Sequence, residues 1–411
     1  MNLDSLHAGA EFAGLPMLLL IGAMAIVGLF VGKLAGLAKL PSIIGFMLVG
    51  VLLGPSLLNL LDPSVQGELG FLSDIALGFV ALSIGLELRF KTLRSLGSGI
   101  AALILGETLV AFTFVTLLVY LVSKDLPLAL LFGALAPASA PAGTVAIIRE
   151  YRASGRLTQA LYAVVGFDDG LGIIIFGFAA AIAKAIVVGD SGIGAMLIPP
   201  LTEIGLSSLI GIGIGLIFGL VLRFYTQGRD VFIFTVGVVL LTIGICELTG
   251  ASLIFTNLVV GVTVVNSQRD TVTKPIGANL TTVMPLLFVL FFILAGANLH
   301  VSAVPALGLI GITYILARSG GKIAGAWLGA VIGRTERKIR NLTGLGILSQ
   351  AGVAIGLALV VKEEFGALGE WGVKAGGIVI TTITATSIVF EIVGPILAKF
   401  ALTRAGEIPK R

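Results

Sequence analysis

The chain has 411 residues, 57% hydrophobic and 12% charged, with a mean hydropathy of +1.11 and a formal net charge of +4. No water-soluble fold buries that much apolar surface, so the composition excludes a soluble domain and implies an all-α polytopic membrane protein. A single cysteine, Cys246, excludes an intrachain disulfide and a cysteine-based zinc site, and the mild basic balance leaves no footprint for nucleic acid.

Met1 to Gly14 contains no Lys or Arg ahead of the first apolar run, so a cleaved signal peptide is not expected. Apolar runs fall near 15–32, 40–60, 69–88, 96–122, 126–148, 157–183, 193–222, 231–247, 250–266, 283–299, 303–333, 343–361 and 372–402, which predicts about thirteen transmembrane helices. Twenty of the 26 basic residues lie in alternate connections and the C-terminal tail. They include Lys33 and Lys39, Arg89, Lys91 and Arg94, and the loop group Arg334, Arg337, Lys338 and Arg340. The opposite side holds only Lys124, Lys184, Lys362 and Lys374. The positive-inside rule then puts the N-terminus outside and the C-terminus in the cytoplasm of a multi-pass inner (plasma) membrane protein. Six spans, one span and six spans divide the chain into two inverted six-helix repeats joined by a linker helix at 193–222.

Irregular helices should fall at matching places in such halves. The fifth span contains Ala136-Pro137-Ala138-Ser139-Ala140-Pro141-Ala142-Gly143-Thr144, where two prolines four apart unwind the helix. The fifth span of the second half contains Ser349-Gln350-Ala351-Gly352-Val353-Ala354-Ile355-Gly356, small, polar and interrupted by Gly352. Two crossed broken helices at one ordinal position point to a binding site at the midplane.

Charges at membrane depth mark the same region. Asp168 and Asp169 sit mid-span in Gly166-Phe167-Asp168-Asp169-Gly170, at a cost of a few kcal/mol each. Glu107 lies in the fourth span, and Arg318 and Lys322 lie one turn apart in the eleventh. The expected pairing is Glu107 with Arg318, leaving Lys322 to reach one aspartate. Neighbouring residues on a helix point about 100° apart, so one aspartate, Asp169, is assigned to a cation and Asp168 to its support. A hard cation such as Na+ takes oxygen ligands, which Asp169 and Asp168, the unwound carbonyls and the hydroxyls of Ser139 and Thr144 provide. Desolvation penalises an ionised carboxylate, so H+ and cation compete for the same oxygens. His7 and His300 lie outside the apolar centres and are poor central proton carriers.

Other features read as structural. Glu87 and Asp74, near span ends, are expected to be solvated boundary residues, and Glu391 in the last span has no evident role. Gly211, Gly215 and Gly219 give a smooth face for helix packing rather than a phosphate loop. Thr381, Thr382, Thr384 and Thr386 are expected to bond back to their own helix, with a role in ion passage left open.

The Asp-Asp segment, the Ala-Pro-Ala-Ser-Ala-Pro break, Ile84-Gly85-Leu86-Glu87-Leu88 and the stretch from Arg318 to Gly325 resemble the monovalent cation:proton antiporter superfamily. The bacterial Na+/H+ exchanger type with an Asp-Asp motif is the nearest pattern, and the likeness covers nearly the whole chain. The resemblance implies one transporter unit over 1–411 without a soluble regulatory domain, working as a homodimer. It implies a core, drawn from about 69–183 and 283–402 less their panel helices, that moves like an elevator. It further implies that Asp169 binds the ion, that Lys322 pairs with Asp168, and that exchange is electrogenic. No cofactor is implied; Na+, Li+ or K+ and H+ are cargo. The chain departs from the pattern by having Arg318 and Glu107 as well, which resembles exchangers lacking that lysine.

Alternatives are K+/H+ exchange or Na+-coupled uptake of an organic anion on a related fold, though an acidic pocket disfavours an anion. A passive channel would carry current without proton counterflow. An intramembrane aspartyl protease needs two aspartates sharing one water, which adjacent residues on one helix do not offer, so no enzyme is expected.

Overall fold

A computed structural model describes residues 16–37, 42–55, 57–91, 97–189, 193–225, 228–297 and 308–409. Met1 to Gly14 with His7, and also Lys39, Arg94, His300, Lys410 and Arg411, lie outside the described residues. In the first half the helices are α1 (Met17–Leu37), α2 (Ser42–Leu53), α3 (Pro63–Glu68), α4 (Gly70–Glu87), α5 (Gly97–Ser123), α6 (Leu126–Leu135), α7 (Pro141–Glu150) and α8 (Arg156–Val188). Then come α9 (Ile193–Val221), α10 (Gly228–Thr249), α11 (Leu253–Ser267), α12 (Asp270–Ala297), α13 (Gly308–Ile332), α14 (Arg337–Gly346), α15 (Gly352–Gly366) and α16 (Glu370–Ala405). Among the described residues every regular element is a helix, and eight are long and apolar enough to cross a bilayer. Each of the apolar runs in the sequence lands on one helix or on a consecutive pair.

Both interruptions are present. The first separates α6 from α7. Asp125 starts α6 by accepting the Leu128 N–H at 2.9 Å, and α6 stops at Leu135, two residues before Pro137. Residues 136–140 are non-helical, and α7 restarts on Pro141, at a position where the missing N–H costs nothing. The second interruption covers 347–351, nearer the N-terminus than the Ser349–Gly356 expected, because Gly352 opens α15 and Val353 to Gly356 are helical. It contains no proline; what unwinds it is a set of donors from outside the helix, described below. The basic group before it is also placed differently: only residues 333–336 form the connection, and Arg337, Lys338 and Arg340 lie in the first turn of α14.

Glycine sets the closest helix pairs. Along α13 and just past its end, Gly321, Gly325, Gly329 and Gly333 recur every fourth residue and meet α5 backbone. A Cβ on Gly325 would stand 2.6 Å from the Gly106 carbonyl oxygen and 2.7 Å from Glu107 Cα. Such backbone contact needs small residues, as in other membrane helix pairs. Its consequence is positional, since it brings Glu107 on α5 against the α13 face that bears Lys322. The α9 stripe behaves as expected: Gly211, Gly215 and Gly219 abut Val259, Thr263 and Gln268 along α11 and its end.

The 33-residue helix α8 is capped from far along the chain. Glu407, beyond α16, accepts the N–H groups of Leu157 and Thr158 at 2.8 Å each and the Thr158 hydroxyl at 2.7 Å. Those are orphan donors of a helix start that has no local side-chain cap.

Candidate ion-binding site

Asp168 and Asp169 lie midway along α8, 0% and 4% exposed, and their surroundings differ. Asp168 Oδ2 is 3.3 Å from Lys322 Nζ, turned into the bundle. Asp169 Oδ1 accepts the Ser139 N–H at 3.2 Å and lines a cavity of about 260 Å3. Ser139 and Ala140 from the first break line the same cavity, as do Ala351 and Gly352 from the second. Ser83 and Glu87 of α4 add polar groups, against an apolar wall that includes Phe288, Phe291 and Phe292. Glu87 is therefore more than a boundary residue: solvated as expected, it faces the same space as Asp169. A periodicity argument had a signal for it, since Ser83 and Glu87 stand four apart on one helix face.

Lys322 is fully buried, donates three hydrogen bonds and forms an ion pair with Glu107. Its Nζ reaches Glu107 Oε2 at 3.0 Å, Asp168 Oδ2 at 3.3 Å, Ser139 Oγ at 2.7 Å and the Pro137 carbonyl. Glu107, also fully buried, accepts the Thr108 hydroxyl at 2.9 Å through its other oxygen. The expected Glu107–Arg318 pair is thus replaced by a Glu107–Lys322–Asp168 triad. The cause is the α5–α13 glycine contact, which sets Glu107 level with Lys322 rather than with the residue one turn earlier.

Arg318 does something the sequence did not suggest. Its Nε donates to the Ala136 carbonyl at 3.0 Å and Nη1 to Leu348 at 2.7 Å. Nη2 donates to Ala138 at 2.8 Å and Ser349 at 3.4 Å, and the guanidinium lies 4.4 Å from the centre of the Phe390 ring. A rigid five-donor fork suits carbonyls that two unwound segments leave without helical N–H partners. The remaining carbonyls are taken across the crossing. Thr144 Oγ1 donates to Gly346 at 2.7 Å, Ser139 Oγ to Ile347 at 3.0 Å, and the Ala140 N–H to Ser349 at 2.9 Å. Gln350 Nε2 donates back to the Leu135 carbonyl at 2.9 Å and to the Tyr314 hydroxyl at 2.9 Å. Each break is therefore held open by groups from the other, plus Arg318.

Of the residues singled out from sequence, Asp169, Ser139 and Gly352 meet at the cavity. Asp168, Lys322, Glu107 and Pro137 form the charged layer behind it. Thr144, Arg318 and Gln350 hold the breaks, and Gly143 gives room for Ser349, which a Cβ there would meet at 2.5 Å. Tyr314 and Phe390, both buried, were not foreseen; an aromatic in an apolar span leaves no trace in periodicity. Three acids face two bases here, so with all ionised the cluster carries one surplus negative charge, which one cation or one proton would cancel.

A sodium/hydrogen exchanger, transmembrane family model matches residues 21–403. The Na+/H+ antiporter NhaG of Bacillus atrophaeus is 26% identical over 220 residues, covering 52% of this chain and 42% of that protein, so the match spans less than half of the relative's length. In fold, the chain is similar to the sodium proton antiporter MjNhaP1 of Methanocaldococcus jannaschii at pH 8, with a TM-score of 0.78 over 96% of this chain and 99% of that one at 18% identity. A second structure of MjNhaP1 gives a TM-score of 0.70 over 95% and 98%, at 19% identity. All-helical architecture, acidic layer and family match agree: the chain belongs to the transmembrane sodium/hydrogen exchanger family.

Proposed function

We propose that this chain is an electrogenic Na+(Li+)/H+ antiporter of the inner or plasma membrane, with cation and proton taking turns on the Asp168–Asp169 pair. The observation that carries the reading is the unequal setting of the two carboxylates. Asp168 is tied to Lys322, whereas Asp169 has one backbone donor, no bonded basic side chain and a place on the cavity wall. A hard monovalent cation or a proton can neutralise such a group, and each excludes the other. Residues from both breaks border the same space, which supports oxygen coordination by the unwound segments. More than one proton per cation at this cluster would make the exchange electrogenic.

Alternating access completes the proposal. The two inverted six-helix repeats and linker α9 would divide into a panel and a core bearing α8 and both breaks, with the core moving as an elevator in a homodimer. The N-terminus would face outward and the C-terminus the cytoplasm. The deciding experiment adds Na+ to purified protein in weakly buffered detergent and measures proton release. Release is expected from the wild type and not from Asp169→Asn; no release at any pH would end the competition mechanism. Repeating it with Li+ and K+ separates Na+ exchange from K+ exchange.

A further inference from the structure

The last helix holds a carboxyl group that none of this uses. Glu391, midway along α16, is 3% exposed, and its Oε1 has no hydrogen-bond partner among the described residues. Ser387 and Thr384, one and two turns before it on the same face, are also buried with unpartnered hydroxyl oxygens, so Thr384, unlike Thr386, does not bond back to its helix as expected. One turn after it, Gly394 packs on Ser349, where a Cβ would stand 2.7 Å from the Ser349 N and 2.8 Å from its Cα. Glu391 is thereby placed at the level of the crossed breaks, and Ser349 Oγ is a fourth unpartnered buried oxygen there.

Among the described residues no positive charge balances it. On α13, Arg318 is committed to four carbonyls and the neighbouring Phe390 ring, and Lys322 to Glu107 and Asp168. On α14, Lys338 donates to the Ala405 carbonyl at 2.8 Å, near the far end of α16, and Arg340 lies in the next half-turn, well below the crossing. Lys399 lies over the Tyr151 ring at 4.5 Å. Arg149 and Glu150 end α7 on the side away from its start at the crossing, and Lys362, Glu363 and Glu364 lie at the far end of α15. Asp168 and Asp169 on α8 belong to the layer already described, and Tyr314 on α13 is bonded to Gln350. Among the described residues none of these charged groups forms an ion pair with Glu391.

An ionised carboxylate buried without a counter-charge costs several kcal/mol, far more than the neutral acid in the same place. We propose that Glu391 is a second proton-binding site, separate from the Asp168–Asp169 pair and protonated in this conformation. Its proton lies on the carboxyl oxygen and leaves to solvent when the core opens a wet path to α16.

The test is infrared difference spectroscopy of the purified protein against Glu391→Gln, which matches the protonated acid in shape. Glu391→Ala supplies the same subtraction if the glutamine variant does not accumulate. The expected result is a protonated-acid carbonyl stretch lost in both variants, shifted in heavy water and diminished at alkaline pH or on adding Na+. The same band should persist in Asp169→Asn, so failure of the Asp169 reading leaves this outcome legible. Loss of only an ionised-carboxylate band in the variants would overturn the proposal. So would a protonated band that never responds to pH or Na+, which would make Glu391 a permanently neutral packing residue.

Discussion

Replacing Lys322 with glutamine removes the single ammonium shared by Glu107 and Asp168, at 3.0 and 3.3 Å. All three side chains are fully buried, so water cannot take over the lost role. Breaking a buried pair by removing one partner costs about 3–5 kcal/mol, which at about 1.36 kcal/mol per tenfold is two to nearly four powers of ten in the folding equilibrium. Thermal unfolding of the purified variant is the assay. Glu107→Gln in the same background removes one orphan and should recover part of the loss, giving a coupling energy of about 0.5–3 kcal/mol between the two sites. A loss below about 1 kcal/mol is what an exposed pair gives, and it would refute the triad.

Arg318→Lys keeps the charge but not the planar fork, so at least one bond from a charged donor to the break carbonyls is lost. A melting shift equivalent to about 1.5–3 kcal/mol is expected, and unchanged stability would show that Arg318 does not hold the breaks. Thr144→Val removes the hydroxyl donated to Gly346 and should cost about 0.5–1.5 kcal/mol while leaving the KM for Na+ unchanged; Ser139→Ala, at the cavity, should raise that KM. Gly325→Leu drives a side chain into α5 and should cost about 1–3 kcal/mol or more in unfolding assays, whereas Gly177→Ala, facing open space on α8, should be neutral or mildly stabilising.

Much of the site was legible because its residues are costly where they sit. An Asp-Asp pair, Glu107, Arg318 and Lys322 stand out in apolar spans whatever their partners, and two prolines in one helix force a break. Partner choice was not legible. Whether Glu107 meets Arg318 or Lys322 depends on how far α5 slides along α13, and that is set by the fit of Gly106 against Gly325 and Gly329. The second break was placed too late for a related reason. No residue from 347 to 351 compels unwinding; the carbonyls of Gly346, Ile347, Leu348 and Ser349 are freed because Thr144, Ser139, Arg318 and Ala140 offer them other donors. In the sequence Glu87 is an ordinary span-end acid, and only the fold shows that it shares a cavity with Asp169.

The cap that Glu407 places on α8 has an implication for biogenesis. The stretch bearing Asp168 and Asp169 is translated some 240 residues before the carboxylate that finishes its start (407 against 168). During synthesis that segment must wait in the translocon or the lipid with its first amides unsatisfied, and it is sealed only once α16 has been threaded. Nascent chains halted before position 407 should therefore expose this end to proteases that spare the finished molecule, which makes Glu407 a checkpoint for maturation.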